Sequence, residues 1–287
     1  MATEGGATQS KISAERKAAV ARARSALETI RAELCEALAA EAPTEALRAA
    51  HLRMAKLHRS TAHCHLTAAR LQDDYAGRLA QWAGQRGTPR PRFMTGVAEA
   101  CGTGSAALTL VSAASEQLTV AASDEHARAA QELEFLLGEG PARDAAAEVR
   151  PITAAGAALA HRWPGYGPAV TELGIDKVAA VPLSLSGACV GALAVFDPAP
   201  GLVGTDSFIE IAEALTRSMI LGPDGEPDLY GAANLRAQVH QAAGMVSVQL
   251  DCPVADALEL IKAHAFAEGV SARSVAERVL NGELRLG

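Results

Sequence analysis

Chemistry needs reactive or ligating side chains at spacings that bring them together, and this 287-residue chain offers few such sets. His51, His58 and His65 recur every seven residues with Cys64 beside the last, so a helix would carry them on one face. Metal ligation favours ligands about four residues apart or delivered from another element, and the row reads instead as a solvated stripe flanking a helix seam. Asp73-Asp74 and Glu132/Glu134 could in principle pair for acid–base work. No nucleophile or pocket motif accompanies them, and they read as surface charge. The stretch "CGTGS" has glycines but lacks the preceding strand and following helix of a phosphate-binding loop. The expectation is a protein that binds rather than catalyses, with no catalytic residue, metal ligand or cofactor site.

Three sets of side chains suit binding. Ala242, Ala243 and Gly244 sit together in "QAAGMVSVQL", inside an amphipathic helical pattern. A glycine in a helix interior costs about 1 kcal/mol relative to alanine, so close approach of something must repay it, either another helix or a bound molecule. Gln241 and Gln249 flank the cluster as hydrogen-bonding groups. Arg236, Lys262, Arg273 and Arg278 are separate cations of the kind that contacts phosphate, although isolated surface cations often do no more than solvate. Trp163 and Tyr166, with the "GEGP" turn, could line a small-molecule cavity or simply fill a core.

The elements that must position these residues follow from composition and periodicity. Hydrophobic residues make up 49% of the chain but aromatics only 3%, so the core must be built of Leu, Val, Ile and Ala, which favours helices. Five cysteines without a CxxC pair point to neither a disulfide framework nor a zinc site. The N-terminus lacks the apolar core of a signal peptide, and no run approaches the roughly 18 apolar residues of a membrane span; a cytoplasmic protein is expected. Charge is unevenly spread: 15 Lys/Arg against 9 Asp/Glu in residues 1–92, 6 against 18 in residues 93–229, and 5 against 6 in residues 230–287. A basic arm, an acidic middle and a nearly neutral end result.

Residues 1–92 read as a helical arm and linker. A disordered start precedes a helix over 11–40, a break falls at Pro43-Thr44, and a second helix covers 44–83. That second helix carries heptad rows: Leu47, Met54, Thr61, Ala68, Tyr75, Trp82 in one, Ala50, Leu57, Cys64, Leu71 in the other. Such a seam suits a two-helix hairpin or a dimeric coil. "WAGQRGTPRPR" closes the arm as a linker. Residues 93–221 alternate short β-like runs with helices and predict an antiparallel sheet with helices packed on it, with turns at Ser115-Glu116 and Ser186-Gly187 and a last helix capped by Thr205 or Asp206. Residues 222–231 are an acidic Gly/Pro linker. Residues 232–287 return to helix three times, with Leu235, Val239, Ala242, Val246 and Leu250 on one face of the first and Val254, Leu258, Ile261 and Ala265 inward on the second. The second stops at Gly269, and the third runs from a Ser271 cap to Asn281-Gly282. So small a bundle is marginal alone and would gain from dimerisation.

Over residues 232–281 the string "QAAGMVSVQLDCPVADALELIKAHAFAEGVSARSVAERVL" resembles the ANTAR domain, with Ala-Ala-Gly-Met in its first helix, Ala257-Leu258 and Ile-Lys-Ala in its second and Val275-Ala276 in its third. Across 93–221, "LGEGPARDA", "RPI", "RWPGYGPAVTELGI" and "VPLSLSGACVGALAVFDP" resemble the GAF sensory domain that commonly precedes ANTAR. Where that family often has a cysteine after "GEGP" this chain has Ala142, so no role of that cysteine carries over. The resemblance implies an α+β fold: an N-terminal helical arm, a GAF-like antiparallel sheet with flanking helices, and a C-terminal three-helix ANTAR-like bundle. It also implies a partner, tandem RNA hairpins in nascent leader transcripts, bound so that a terminator does not form. Under it Arg236, Gln241, Ala243, Gly244, Gln249, Lys262, Arg273 and Arg278 are the expected RNA-binding residues. A homodimer meets two hairpins, and an unknown small molecule or protein signals through the GAF-like unit, with Trp163 and Tyr166 as its pocket. The near-neutral charge of residues 230–287 opposes strong RNA binding by electrostatics alone. The competing expectation is therefore a small-molecule sensor or protein-interaction adaptor whose bundle only dimerises.

Overall fold

Two long helices open the chain, α1 (Ala2–Ala40) and α2 (Glu45–Trp82), and alanine sets how they meet. The computed structural model describes residues 2–83, 85, 89–112, 117–185, 188–201, 206–220 and 235–286. On α1 the buried residues include Ala7, Ala14, Ala18, Ala21, Ala32 and Ala39; on α2 they include Ala55, Ala62, Ala69 and Ala76, one every seven residues. Side chains this small let two antiparallel backbones approach closely. Ser25 Oγ donates to the Ala62 carbonyl at 2.9 Å, and His58 Nδ1 meets Glu28 Oε2 at 2.6 Å. Pro43 breaks the helix, and Thr44 caps the next by accepting from the Leu47 N–H. Of the two arrangements expected, a hairpin or a dimeric coil, α1 and α2 form the hairpin. The disordered start was not found, since α1 runs from Ala2.

The expected heptad rows of α2 serve another purpose. Cys64, Ala68, Leu71, Tyr75 and Leu79 are buried, and Leu71, Tyr75 and Leu79 join one core cluster with α3 (Phe93–Ala100) and the sheet. The C-terminal half of the seam is therefore taken up within the chain. Leu47, Met54 and Leu57, in the N-terminal half, are 41%, 46% and 49% exposed.

The sheet comprises β1 (Ser105–Val111), β2 (Gln117–Ala122), β3 (Ile152–Ala155), β4 (Lys177–Leu185) and β5 (Ala188–Phe196), in the order β2-β1-β5-β4-β3 with every neighbouring pair antiparallel. Between β2 and β3 run α4 (Glu125–Leu137) and α5 (Pro141–Glu148); α6 (Ala157–Arg162) and α7 (Tyr166–Glu172) follow β3, and α8 (Asp206–Ala214) follows β5, continued by a π-helical stretch at Leu215–Ile220. Because strand side chains alternate, the sheet has two apolar faces. Leu108, Val181, Leu193 and Val195 face α2, α3 and α8. Ala107, Ala180, Ala192 and Ala194 share the other cluster with Ala142 and Ala145 of α5. Alanine against alanine brings α5 close to the strands. Gly191 of β5 has no room for a side chain, since a Cβ there would lie 2.0 Å from the Thr109 carbonyl oxygen.

The C-terminal bundle is α9 (Leu235–Leu250), α10 (Val254–Glu268) and α11 (Ala272–Leu280). Val239, Ala242 and Val246 of α9 pack with Leu258, Ile261 and Ala265 of α10 and with Val275 and Val279 of α11. Gly269 ends α10 in the left-handed conformation, and Ser271 caps α11 by accepting from the Ser274 N–H. Val254, expected inward, is 51% exposed because it starts the helix beyond the reach of its neighbours. The linker over 222–231, the turns at Ser115-Glu116 and Ser186-Gly187, the Thr205 cap and the side chains of Asp206 and Leu235 lie outside the described residues. Among those described, no helix is long and apolar enough to cross a membrane.

Candidate functional site

Three turns of α9 divide its residues between two surroundings. Ala242 and Ala243 are fully buried in the bundle core, where their size lets α10 and α11 come close. Ala243, expected to touch RNA, is thereby withdrawn from contact: it falls on the same stripe as Val239 and Val246. Gly244 behaves differently, because a Cβ built on it would meet nothing within 4 Å. Packing inside the bundle therefore does not explain this glycine. It lies beside an exposed face that carries Gln241, Gln249, Met245 at 39% exposure and Val248 at 84%.

The four cations do not share that open face. Arg236 is only 4% exposed. Its Nη1 donates to Glu132 Oε2 at 3.0 Å and its Nη2 to Gln117 Oε1 at 2.8 Å, while its guanidinium carbon lies 3.6 Å from the centre of the Phe135 ring. The Lys262 ammonium lies 4.7 Å from the same ring centre and donates to Glu259 at 2.8 Å. A cation over an aromatic face is attracted by the ring quadrupole, most strongly where water is excluded. Phe135 and Glu132 belong to α4, so two cations of the bundle are docked on the sheet unit. Glu132 Oε1 also accepts from the Ala272 N–H at 2.8 Å, supplying the start of α11 with a partner its helix cannot provide. Burial lowers the pKa of Arg236, and the charge of Glu132 opposes that shift.

Arg273 and Arg278 are more accessible but paired. Arg273 Nε donates to Glu277 at 2.7 Å, and Arg278 pairs with Glu268. The expectation of four cations free for phosphate is thus corrected: two are buried against α4, one holds an ion pair within α11 and one pairs with Glu268 of α10. Exposed pairs of this kind contribute about 0–1 kcal/mol and open at little cost.

A cavity of about 300 Å³ lies where the sheet unit meets the bundle, and its lining includes Gln117, Glu134, Phe135, Arg143, His240 and Lys262. The Nε2 of His240 is buried and carries no hydrogen bond. Glu134 is 3% exposed, and burial pushes its carboxyl up to about 7 against the lowering effect of its hydrogen bonds, with Asp144 adding a further upward push. The Arg143 N–H donates to Oε1 at 2.5 Å and Gln131 Nε2 to Oε2 at 2.8 Å. Gly140 permits this seating, for a Cβ there would lie 2.7 Å from Glu134 Cγ. An ammonium, an imidazole, a carboxyl near its titration midpoint and an amide can together hold a small polar molecule. None of them is arranged as an activated nucleophile.

Trp163 and Tyr166, expected to line the pocket, do not border this cavity. They are 2% and 0% exposed and pack edge to face at 5.8 Å within the core below the sheet. Trp163 Nε1 donates to Asp144 at 3.1 Å, while the Tyr166 hydroxyl is buried without a partner. Burial, then the charge of Glu134, raises the Tyr166 pKa well above the ordinary value.

Glu132, Glu134 and Phe135 are what sequence reading missed, having taken the two glutamates for surface charge. A signal was present: Ala127, Gln131 and Glu134 recur at helical spacing, and that stripe is the buried face of α4. Compared with protein-family models, curated proteins and solved structures, the chain matches none of them.

Proposed function

We propose that this chain is a signal-responsive RNA-binding regulator, in which the GAF-like sheet unit holds and releases an ANTAR-like bundle that binds hairpins in nascent leader RNA and prevents termination. The observation that carries this reading is the seating of Arg236 and Lys262 on Phe135, which couples the two cations best suited to phosphate to the unit that would receive the signal. RNA loops present unpaired bases whose edges side chains can read. Gln241 and Gln249 stand exposed for that purpose beside the open backbone of Gly244. Release of Arg236 and Lys262 would then add phosphate contacts.

The ion pairs of Arg273 and Arg278 favour a second reading, a small-molecule sensor or adaptor whose bundle makes only protein contacts. Titration of labelled tandem hairpins against loop-scrambled controls separates the two. Preference for the intact loops supports the RNA reading, and equal affinity for both refutes it.

A further inference from the structure

Helix α1 turns its alanines inward and its large apolar residues outward. Val20, Leu27, Ile30, Leu34 and Leu38 are 38%, 48%, 61%, 60% and 42% exposed. At 100° per residue they lie half a turn round the helix from Ala14, Ala18, Ala21 and Ala32, the row that meets α2. Val20, Leu27 and Leu34 are spaced by seven, with Ile30 three residues after Leu27 and four before Leu34. This is the a/d pattern of a coiled coil, and it uses none of the residues that hold the hairpin together.

We infer that this face is the docking site of a second copy of the chain, pairing α1 with α1 in parallel. The inference does not rest on RNA binding. Two arguments select the occupant. The first is area. The five side chains leave on the order of 450 Å² of apolar surface per protomer, already the size of the largest patch on a typical monomer. Pairing two such faces, with the stems of Arg24, Arg31 and Glu33 alongside, reaches about 1,200 Å² in total, the lower bound of specific interfaces.

The second is charge. With Val20, Leu27 and Leu34 at a, Arg24 and Arg31 occupy e, while Ala19, Ala26 and Glu33 occupy g. An antiparallel pairing of this stretch sets Arg24 against Arg31 of the other copy twice along one flank of the seam, where e faces e. A parallel pairing sets g against e, so that Arg24 meets Ala19, Arg31 meets Ala26 and Leu38 meets Glu33, with no like charges opposed. The parallel arrangement makes a two-fold dimer and places both C-terminal bundles at corresponding heights about one axis.

The test is the mass of the full-length chain by light scattering at micromolar concentration, together with cysteine cross-linking. The parent should be a dimer, and Leu34→Glu should be monomeric with unchanged helical circular dichroism, because Leu34 is 60% exposed and packs within no core. Leu57→Glu on α2, 49% exposed, should stay dimeric. Leu34→Cys should form a disulfide-linked dimer under mild oxidation that the parent does not, since a parallel seam sets position 34 against itself, whereas the antiparallel pairing sets the two copies of position 34 about 20 Å apart along the helices. A monomeric parent overturns the proposal, as does a Leu34→Glu variant that remains dimeric, or a Leu57→Glu variant that becomes monomeric. A dimer in which Leu34→Cys fails to cross-link overturns the parallel arrangement. RNA titration of the monomeric variant is scored separately, so failure of the dimer and failure of RNA recognition are told apart.

Discussion

Replacing Phe135 by leucine tests how the bundle is held. The ring is buried between the Arg236 guanidinium at 3.6 Å and the Lys262 ammonium at 4.7 Å. Leucine retains most of the apolar contact but has no π face. A desolvated cation–π contact is worth about 2 kcal/mol and a partly exposed one about 1 kcal/mol. Arg236 at 4% side-chain exposure belongs to the first class and Lys262, at 11% and further from the ring, to the second. The docking equilibrium should therefore shift by about 3 kcal/mol, roughly a hundredfold. The Ala272 amide reports this directly, because its N–H donates to Glu132 across the junction. In hydrogen exchange on the full chain it should lose protection by about that factor, while amides in the interior of α9 keep theirs. Affinity for leader hairpins should rise in parallel. If Ala272 exchanges as in the parent while the variant remains folded, the ring does not hold the two units together. If Ala272 is released and RNA affinity does not change, docking does not mask the RNA face.

Other substitutions probe the site and its frame. Glu134 has its folded pKa raised from 4.5 to about 7 by burial. Its contribution is fully present below pH 4.5 and is lost as pH rises through 7, by about 3 kcal/mol at the alkaline limit; urea midpoints should fall between pH 5 and pH 9, and Glu134→Gln should flatten that slope. An unaltered slope in the variant would remove Glu134 as its source. Gly244→Ala should stabilise the bundle by about 1 kcal/mol, since its Cβ meets nothing, and Gly244→Leu should fold normally yet lose hairpin binding; normal binding by the leucine variant would end the close-approach explanation. Gly191→Ala places a methyl group 2.0 Å from the Thr109 carbonyl oxygen and should cost more than 3 kcal/mol in denaturant unfolding, beyond the 1–3 kcal/mol of ordinary overpacking. A near-neutral result there would mean that β1 and β5 can separate locally.

The order of elements was legible because each has a local cause. Asp124 caps α4 by accepting from the Ala127 N–H and Gly138 ends it at positive φ, both readable as residue types at the ends of a periodic run. Leu258, Ile261 and Ala265 likewise declare the inner face of α10. What was not legible depends on contacts between units distant in sequence. Arg236 pairs with Glu132 across 104 positions, and no local pattern marks a cation as destined for burial. The pairing of Arg273 was hidden for a different reason, since Glu277 four residues on is equally consistent with a free arginine, and that of Arg278 with Glu268 joins two helices ten positions apart. The α2 rows misled because only their C-terminal half packs on the sheet unit: Leu47, Met54 and Leu57 stay exposed, and α1 meets a separate row at Ala55, Ala62, Ala69 and Ala76.

Helix α2 gives that last point a mechanical side. At 1.5 Å per residue its 38 residues extend about 57 Å without interruption. From Cys64 onward the helix is clamped in the core with Leu71, Tyr75 and Leu79, whereas residues 45–62 find their buried contacts through α1. The fulcrum therefore sits near His63, which meets Glu210 of α8 at 2.9 Å, leaving a free arm of about 27 Å. Tilting the clamped end by about 5° moves the tip by roughly 2 Å, so a small rearrangement of the sheet's α2 face reaches the start of α2 as a displacement the size of a side chain.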